Sequence, residues 1–168
     1  MAKRKKTISH PRAITFDPDF IPCQILDNHE YFPNGIFIFN ISRMISFIEA
    51  HEEELISDII DVDYYYRLQE HLELNEDFVR QADLTRPVIL AEITPDRFKM
   101  GMGINPNIYY ERGYNLIDGH HRVAKAYTMG IKTLPAYILR MEQHINFLAQ
   151  GYKEYVEYWN DKLRASGA

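Results

Sequence analysis

The feature that most constrains the fold is a strand, a sharp turn and a helix in direct succession over residues 114–130. The apolar run 114–117 predicts a buried strand, which stops at Asp118. Apolar side chains then recur at helical spacing, so a helix is predicted to begin directly after the turn and to end at Gly130. The basic side chains at 120–122 therefore fall in the first turn of this helix.

That first turn is predicted to bind an anion. The first N–H groups of a helix lack backbone partners and the helix dipole is positive at this end, so phosphate groups bind there readily. Arg122 adds a guanidinium that can donate two parallel hydrogen bonds to a phosphate. Gly119 lets the backbone approach the ligand, or alternatively serves only as a tight turn. Successive helical residues point about 100° apart, so His120 and His121 cannot both face the same atom.

Two roles are open to Asp118. Its carboxylate can hold a magnesium ion beside a bound phosphate, because hard cations prefer oxygen ligands. Alternatively, it caps the helix by accepting a backbone N–H of the next turn. The neighbouring His120 and His121 are weak evidence for a zinc site, since a structural zinc needs more ligands than one adjacent pair.

Composition narrows the class of protein. A chain of 168 residues with 46% hydrophobic content is long enough for one well-packed domain. We expect neither a membrane span nor a secretory signal, because the sequence has no apolar run of about 18 residues and no apolar stretch after its basic start. The single cysteine, Cys23, excludes an internal disulfide and fits a reducing cytoplasm.

Charge is distributed unevenly along the chain. The net charge is −5, yet five of the 19 basic residues precede Asp17, the first acidic one. The remainder carries 14 basic against 24 acidic residues, which disfavours binding to a nucleic-acid backbone unless the positive charges gather on one face. Residues 1–12 are predicted to form a basic, flexible tail, with contact to nucleic acid as the alternative.

Apolar periodicity and turn residues predict the other elements. The predicted fold class is α+β, with α/β as the alternative: one domain over 13–168 with a small mixed sheet of about four strands surrounded by helices. Residues up to 34 are predicted to be irregular and wrapped on the surface, and 94–112 to form a loop or hairpin. Pro135 predicts an edge or an entry position for its strand. Besides the strand and helix above, the predicted strands are 35–40, 87–93 and 133–139, and the predicted helices are 42–59, 64–74, 76–82 and 143–164.

The succession of strand, Asp-Gly-His-His-Arg turn, helix and further strand resembles the ParB/sulfiredoxin superfamily over residues 86–139. Members of that superfamily share a small α/β domain and bind nucleotide phosphates at this strand-to-helix turn. The resemblance implies a nucleotide (ATP, ADP or CTP) with Mg²⁺ as the cofactor. It implies that Asp118, Gly119, His120, His121 and Arg122 bind it, with Asp118 as the metal ligand.

Within the superfamily the motif is most similar to the free-serine kinases, which have the same Asp-Gly-His-His-Arg turn. Sulfiredoxins carry a catalytic cysteine where this chain has His120. ParB partitioning proteins carry a Gly-Glu-Arg-Arg turn followed by a helix-turn-helix region that binds DNA. This chain lacks that glutamate and is predicted to have only one further helix, which argues against operator binding. Kinase-like members show a His-Glu pair after their first strand, and the resemblance places that pair at His51 and Glu52.

Phosphate transfer needs a carboxylate that receives a hydroxyl proton. Glu52 is the predicted base, and His120 is the second residue assigned a catalytic role. The alternative for Glu52 is a solvated acidic helix face, in which Glu53 or Glu54 could replace it. Glu92 and Glu111 are weaker candidates.

Together these features predict a domain that binds nucleotide phosphate and hydrolyses the nucleotide or transfers phosphate to a small hydroxyl substrate. One alternative is a binding or regulatory module without catalysis. The other is a DNA-associated protein or nuclease.

Overall fold

The computed structural model describes residues 12–95 and 114–165. The predicted basic tail before Arg12, the predicted loop beyond Pro95 and the candidate Glu111 lie outside these residues. The described chain is α+β, as the sequence predicted: two sheets pack with helices on both faces of the larger sheet.

The strands and the helices are each numbered in the order in which they occur along the chain. The strands are β1 (Tyr31–Asn34), β2 (Phe37–Asn40), β3 (Ile56–Asp61), β4 (Val88–Glu92), β5 (Tyr114–Asp118), β6 (Thr133–Leu139) and β7 (Leu148–Gln150). The helices are α1 (Ile41–Ala50), α2 (Val62–Leu68), α3 (Glu76–Gln81), α4 (His120–Thr128), α5 (Met141–His144) and α6 (Tyr152–Ala165), with short 3₁₀ turns at Glu52–Glu54 and Ile145–Phe147.

The larger sheet has the strand order β3-β6-β4-β5. It is mixed, because β6 runs parallel to β4 and antiparallel to β3, while β5 is antiparallel to β4. Side chains alternate between the faces of a strand, and β4 is buried on both. Val88 and Leu90 pack with α2 and α4, whereas Ile89 and Ala91 pack on the opposite face.

That opposite face carries a second layer that the sequence pattern did not predict. β1, β2 and β7 form a three-stranded sheet, which packs with α1 and α6 around the fully buried Phe39, Met44 and Trp159. β1 and β2 are joined by a two-residue turn in which Gly35 has a φ of +66°, as tight hairpin turns require. The segment from Arg12 to β1 is irregular, as predicted.

The predicted helix over 42–59 is wrong beyond Ala50. The chain leaves α1 through the acidic 3₁₀ turn and enters β3, which pairs along its whole length with β6. Ile59, expected on the buried helical face, is 42% exposed. Isoleucine spacing alone fits both structures, and pairing with a distant strand decides between them.

Three further expectations need correction. The predicted helix over 64–74 is wrong beyond Leu68, where α2 ends. The predicted helix over 143–164 is interrupted by the second 3₁₀ turn and by β7, in which Leu148 pairs with Phe39, and α6 begins only at Tyr152.

β6 is an interior strand, so the edge position inferred from Pro135 is wrong. Pro135 is not at the entry of the strand either, because β6 begins at Thr133 and Pro135 pairs with Ile59 of β3. The proline is tolerated because pairing with β4 starts one residue later, at Ala136.

Candidate functional site

The turn between β5 and α4 is built so that only glycine fits its centre. Gly119 has a φ of +110°, a conformation that side chains disfavour. A Cβ on Gly119 would lie 2.5 Å from Cγ1 of Val88. Asp118, the last residue of β5, pairs with Ile89 on β4. Close packing against β4 therefore fixes where α4 begins.

The first turn of α4 has no side-chain cap. In contrast, Asn40, Asp61 and Asn75 cap α1, α2 and α3, each by accepting a backbone N–H. The capping role considered for Asp118 is wrong, because the N-cap residue is Gly119. The N–H donors at the start of α4 are thus left to solvent or to a ligand.

The guanidinium of Arg122 is less available to a ligand than the sequence suggested, because it is already bound to protein groups. It donates to the backbone oxygens of Arg86 (3.1 Å) and Pro87 (2.6 Å) through Nη1 and to Oδ2 of Asp118 (2.8 Å) through Nη2. The Arg122 side chain is 11% exposed and that of Asp118 is 21% exposed. The pair ties α4 to β5 and to the start of β4.

The two imidazoles diverge, as helical geometry requires. The ring of His120 stacks on Phe32 of the hairpin at 6.0 Å between centroids, and His121 meets Phe78 of α3 edge-on at 5.8 Å. Burial lowers the pKa of His120, an effect that Asp118 opposes and His121 reinforces. His120 is therefore mostly neutral at pH 7 and offers hydrogen bonds rather than the charge expected from the sequence.

Three clefts meet at this turn, and Asp118 lines all of them. The largest, about 590 Å³, lies between the turn and residues 72–74 and is also lined by Phe32. A second, of about 460 Å³, is lined by Arg86, Arg122, Glu30 and others. A third, of about 320 Å³, extends towards α3 and again includes both arginines. The structure thus brings all five predicted binding residues, 118–122, to the clefts.

Arg86 and Glu30 reach these clefts without having been singled out by the sequence. Arg86 is exposed and lies two residues before β4, beside Asp83. Hydrogen bonds from the Thr85 hydroxyl and backbone N–H lower the pKa of Asp83, with smaller contributions from Arg86 and Arg122. The only sequence signal for Arg86 is its place just before a buried strand, and Glu30 precedes a hairpin that the pattern did not show.

The predicted catalytic base, Glu52, lies elsewhere. It is exposed in the 3₁₀ turn after α1 and lines none of the three clefts. Its neighbour is Tyr137 on β6, whose pKa is raised by burial and then by the Glu52 carboxylate. Glu92 lies at the far end of β4, where its buried carboxylate accepts a hydrogen bond from the backbone N–H of Met141 at 3.2 Å. Neither carboxylate comes together with the turn.

Comparisons with protein-family models, with curated proteins and with solved structures find no match to this chain. Within residues 12–95 and 114–165, no three His, Cys, Asp or Glu side chains lie close enough together to hold a metal ion. The helices of this part of the chain are too short or too polar to cross a membrane.

Proposed function

We propose that this chain is a binding domain for a phosphate-bearing ligand, expected to be a nucleotide, held at the first turn of α4. One observation carries the proposal: a helix start without a side-chain cap stands where three clefts meet. Backbone N–H groups in such a position are ready donors to phosphate oxygens. The motif resemblance to the ParB/sulfiredoxin superfamily supports the same ligand class.

The charges around the turn favour a ligand that arrives with a cation. Among the residues that the structure describes, the clefts are lined by two arginines and four carboxylates, so their lining is net negative: Arg86, Arg122, Glu30, Glu73, Asp83 and Asp118. Mg²⁺ is commonly held by one or two carboxylates together with substrate phosphates rather than by an all-protein cage. Asp118 fits that role only for a cation bound jointly with the ligand.

Binding is the better-supported activity because Glu52, the expected base, is remote from the clefts. Phosphate transfer to a small hydroxyl substrate is the second candidate, and Glu30 favours it. Glu30 lines the two larger clefts together with Asp118. It is therefore a candidate for the catalytic base in place of Glu52.

Isothermal titration calorimetry with ATP, ADP, CTP and inorganic triphosphate, each with and without Mg²⁺, tests the proposal. We expect saturable binding that Mg²⁺ strengthens. Arg86→Ala should weaken binding by about 1.5–3 kcal/mol, the range for hydrogen bonds to charged groups. Arg86 is exposed, so the substitution should leave the fold intact.

The matched control is Arg67→Ala, which removes another exposed arginine that lies outside the clefts. It should bind like the wild type. Absence of binding to every one of these ligands contradicts the proposal. Salt-sensitive retention of DNA in that case would favour the DNA-associated alternative.

A further inference from the structure

We infer that Gln69 is the positioning residue of the phosphate turn. It follows the last residue of α2 and is 5% exposed. Its Nε2 donates to the backbone oxygen of His120 at 2.9 Å, across 51 residues of sequence. Gln69 thus contacts the first residue of α4, although it does not line the clefts itself. This inference rests on the proposed function of the turn.

Gln69 and a stacked pair of tyrosines both connect α2 with α4. The rings of Tyr66 and Tyr127 stack at 3.8 Å and an interplanar angle of 6°, which joins α2 to the last part of α4. Gln69 joins the end of α2 to the first turn of α4. Of these two contacts, the one that Gln69 makes lies at the turn proposed to bind the ligand.

The same residue connects both walls of the largest cleft. The backbone N–H of Leu72 donates to the Gln69 carbonyl at 2.9 Å, and residues 72–74 form the wall opposite the 118–121 turn. The backbone of Gln69 thus holds one wall and its side chain holds the other. Loss of the side-chain bond should allow the first turn of α4 to shift relative to the cleft.

The oxygen of the Gln69 amide indicates that this side chain does not serve mainly to stabilise the fold. Oε1 of Gln69 is buried and has no hydrogen-bond partner among the described residues. A buried acceptor without a partner is unfavourable, and its cost offsets the gain from the bond that Nε2 makes. A methionine of similar length would avoid that cost. The role that we assign to the amide is therefore its bond to the His120 carbonyl.

The test compares Gln69→Met with Gln143→Met. Gln143 also makes one side-chain bond to backbone, accepting from the Arg140 N–H at 2.9 Å, but lies outside the three clefts. We expect Gln69→Met to weaken the binding of ATP and of inorganic triphosphate to the same extent. The affinity for each should fall by about threefold to tenfold, as for one lost hydrogen bond. Its melting temperature should stay at or above that of wild type. Gln143→Met should leave affinity unchanged.

Gln69→Glu provides a second variant of the same size. A carboxylate would face the His120 carbonyl with no N–H to donate, so binding should weaken further than in Gln69→Met. Wild-type affinity in both Gln69 variants overturns the inference. A loss of affinity that merely tracks a lower melting temperature, or that Gln143→Met shares, overturns it as well. If wild type itself binds neither ATP nor triphosphate, the proposed function fails first and the role of Gln69 fails with it.

Discussion

At the scale of single residues, the ion pair between Asp118 and Arg122 shows that two residues predicted to bind a ligand also hold the fold together. Arg122 makes three hydrogen bonds to protein groups, and its side chain is only 11% exposed. Removing one partner of such a pair leaves buried acceptors without donors. Arg122 therefore positions the turn, while the exposed Arg86 is the cation that a ligand can reach.

Arg122→Ala is expected to lower the free energy of unfolding by about 2–3 kcal/mol, because Asp118 and two backbone carbonyls lose their donor. Urea denaturation followed by circular dichroism measures the change. Arg67→Ala is the comparison, since Arg67 forms a pair of the same spacing with Asp63, at 2.9 Å, with side chains 70% and 48% exposed. Its removal should cost less than about 0.5 kcal/mol. Equal losses would show that the burial of the Asp118 pair has no energetic consequence.

At the scale of elements, the link from β5 to α4 depends on a glycine held against β4. Gly119→Ala should destabilise the protein by about 3 kcal/mol or more, from the positive φ and from the 2.5 Å approach of a Cβ to Val88. Gly130→Ala, after α4, separates the two effects. Gly130 has a φ of +71° and no heavy atom within 4 Å of the position of a Cβ. Gly130→Ala should therefore lower the free energy of unfolding by only about 1 kcal/mol.

Thermal and urea unfolding of the two variants provide the measurement. Similar losses at both positions would mean that Val88 moves aside and that α4 is not fixed by its packing on β4. In that case Gly119→Ala should also leave ligand affinity unchanged. A larger loss at Gly119, together with weaker binding, supports a turn whose geometry is set by the sheet.

Elements whose bounds are marked by the local sequence were predictable. β4, β5 and α4 agree with their predicted positions, because the apolar runs of both strands are short, β5 ends at Asp118, and α4 lies between Gly119 and Gly130. β3 was not predictable, since its identity depends on pairing with β6, far along the chain. The turn at 118–122 was found for the same local reason. Arg86, Glu30 and Gln69 were missed because they reach the turn only through tertiary packing.

At the scale of the whole molecule, the layer between the two sheets contains a titratable group that is fully buried. His144 donates from Nε2 to the Glu92 carbonyl at 2.6 Å and lies edge-on to Phe39 and Tyr155. Burial lowers the pKa of His144 to about 4. The folded protein therefore keeps this imidazole neutral over a range in which the unfolded chain would protonate it.

Stability should consequently fall as the pH is lowered from about 6.5, the ordinary pKa of histidine, to about 4. Across that window unfolding takes up a proton, and the contribution of His144 is on the order of 3 kcal/mol. Urea denaturation at a series of pH values measures it. His144→Gln keeps an N–H donor for the Glu92 carbonyl but cannot titrate, so its stability should change less with pH. An identical slope in wild type and variant would rule out His144 as the cause.

The contact between the beginning and the end of the described chain has a consequence for biosynthesis. Ile14 exchanges backbone-to-side-chain hydrogen bonds with Asn160, 146 residues later, and Trp159 donates to the carbonyl of Arg12. A ribosome working at about 5–20 residues per second needs roughly 7–30 s to span that interval. The nascent N-terminal segment must wait that long for the helix on which it docks.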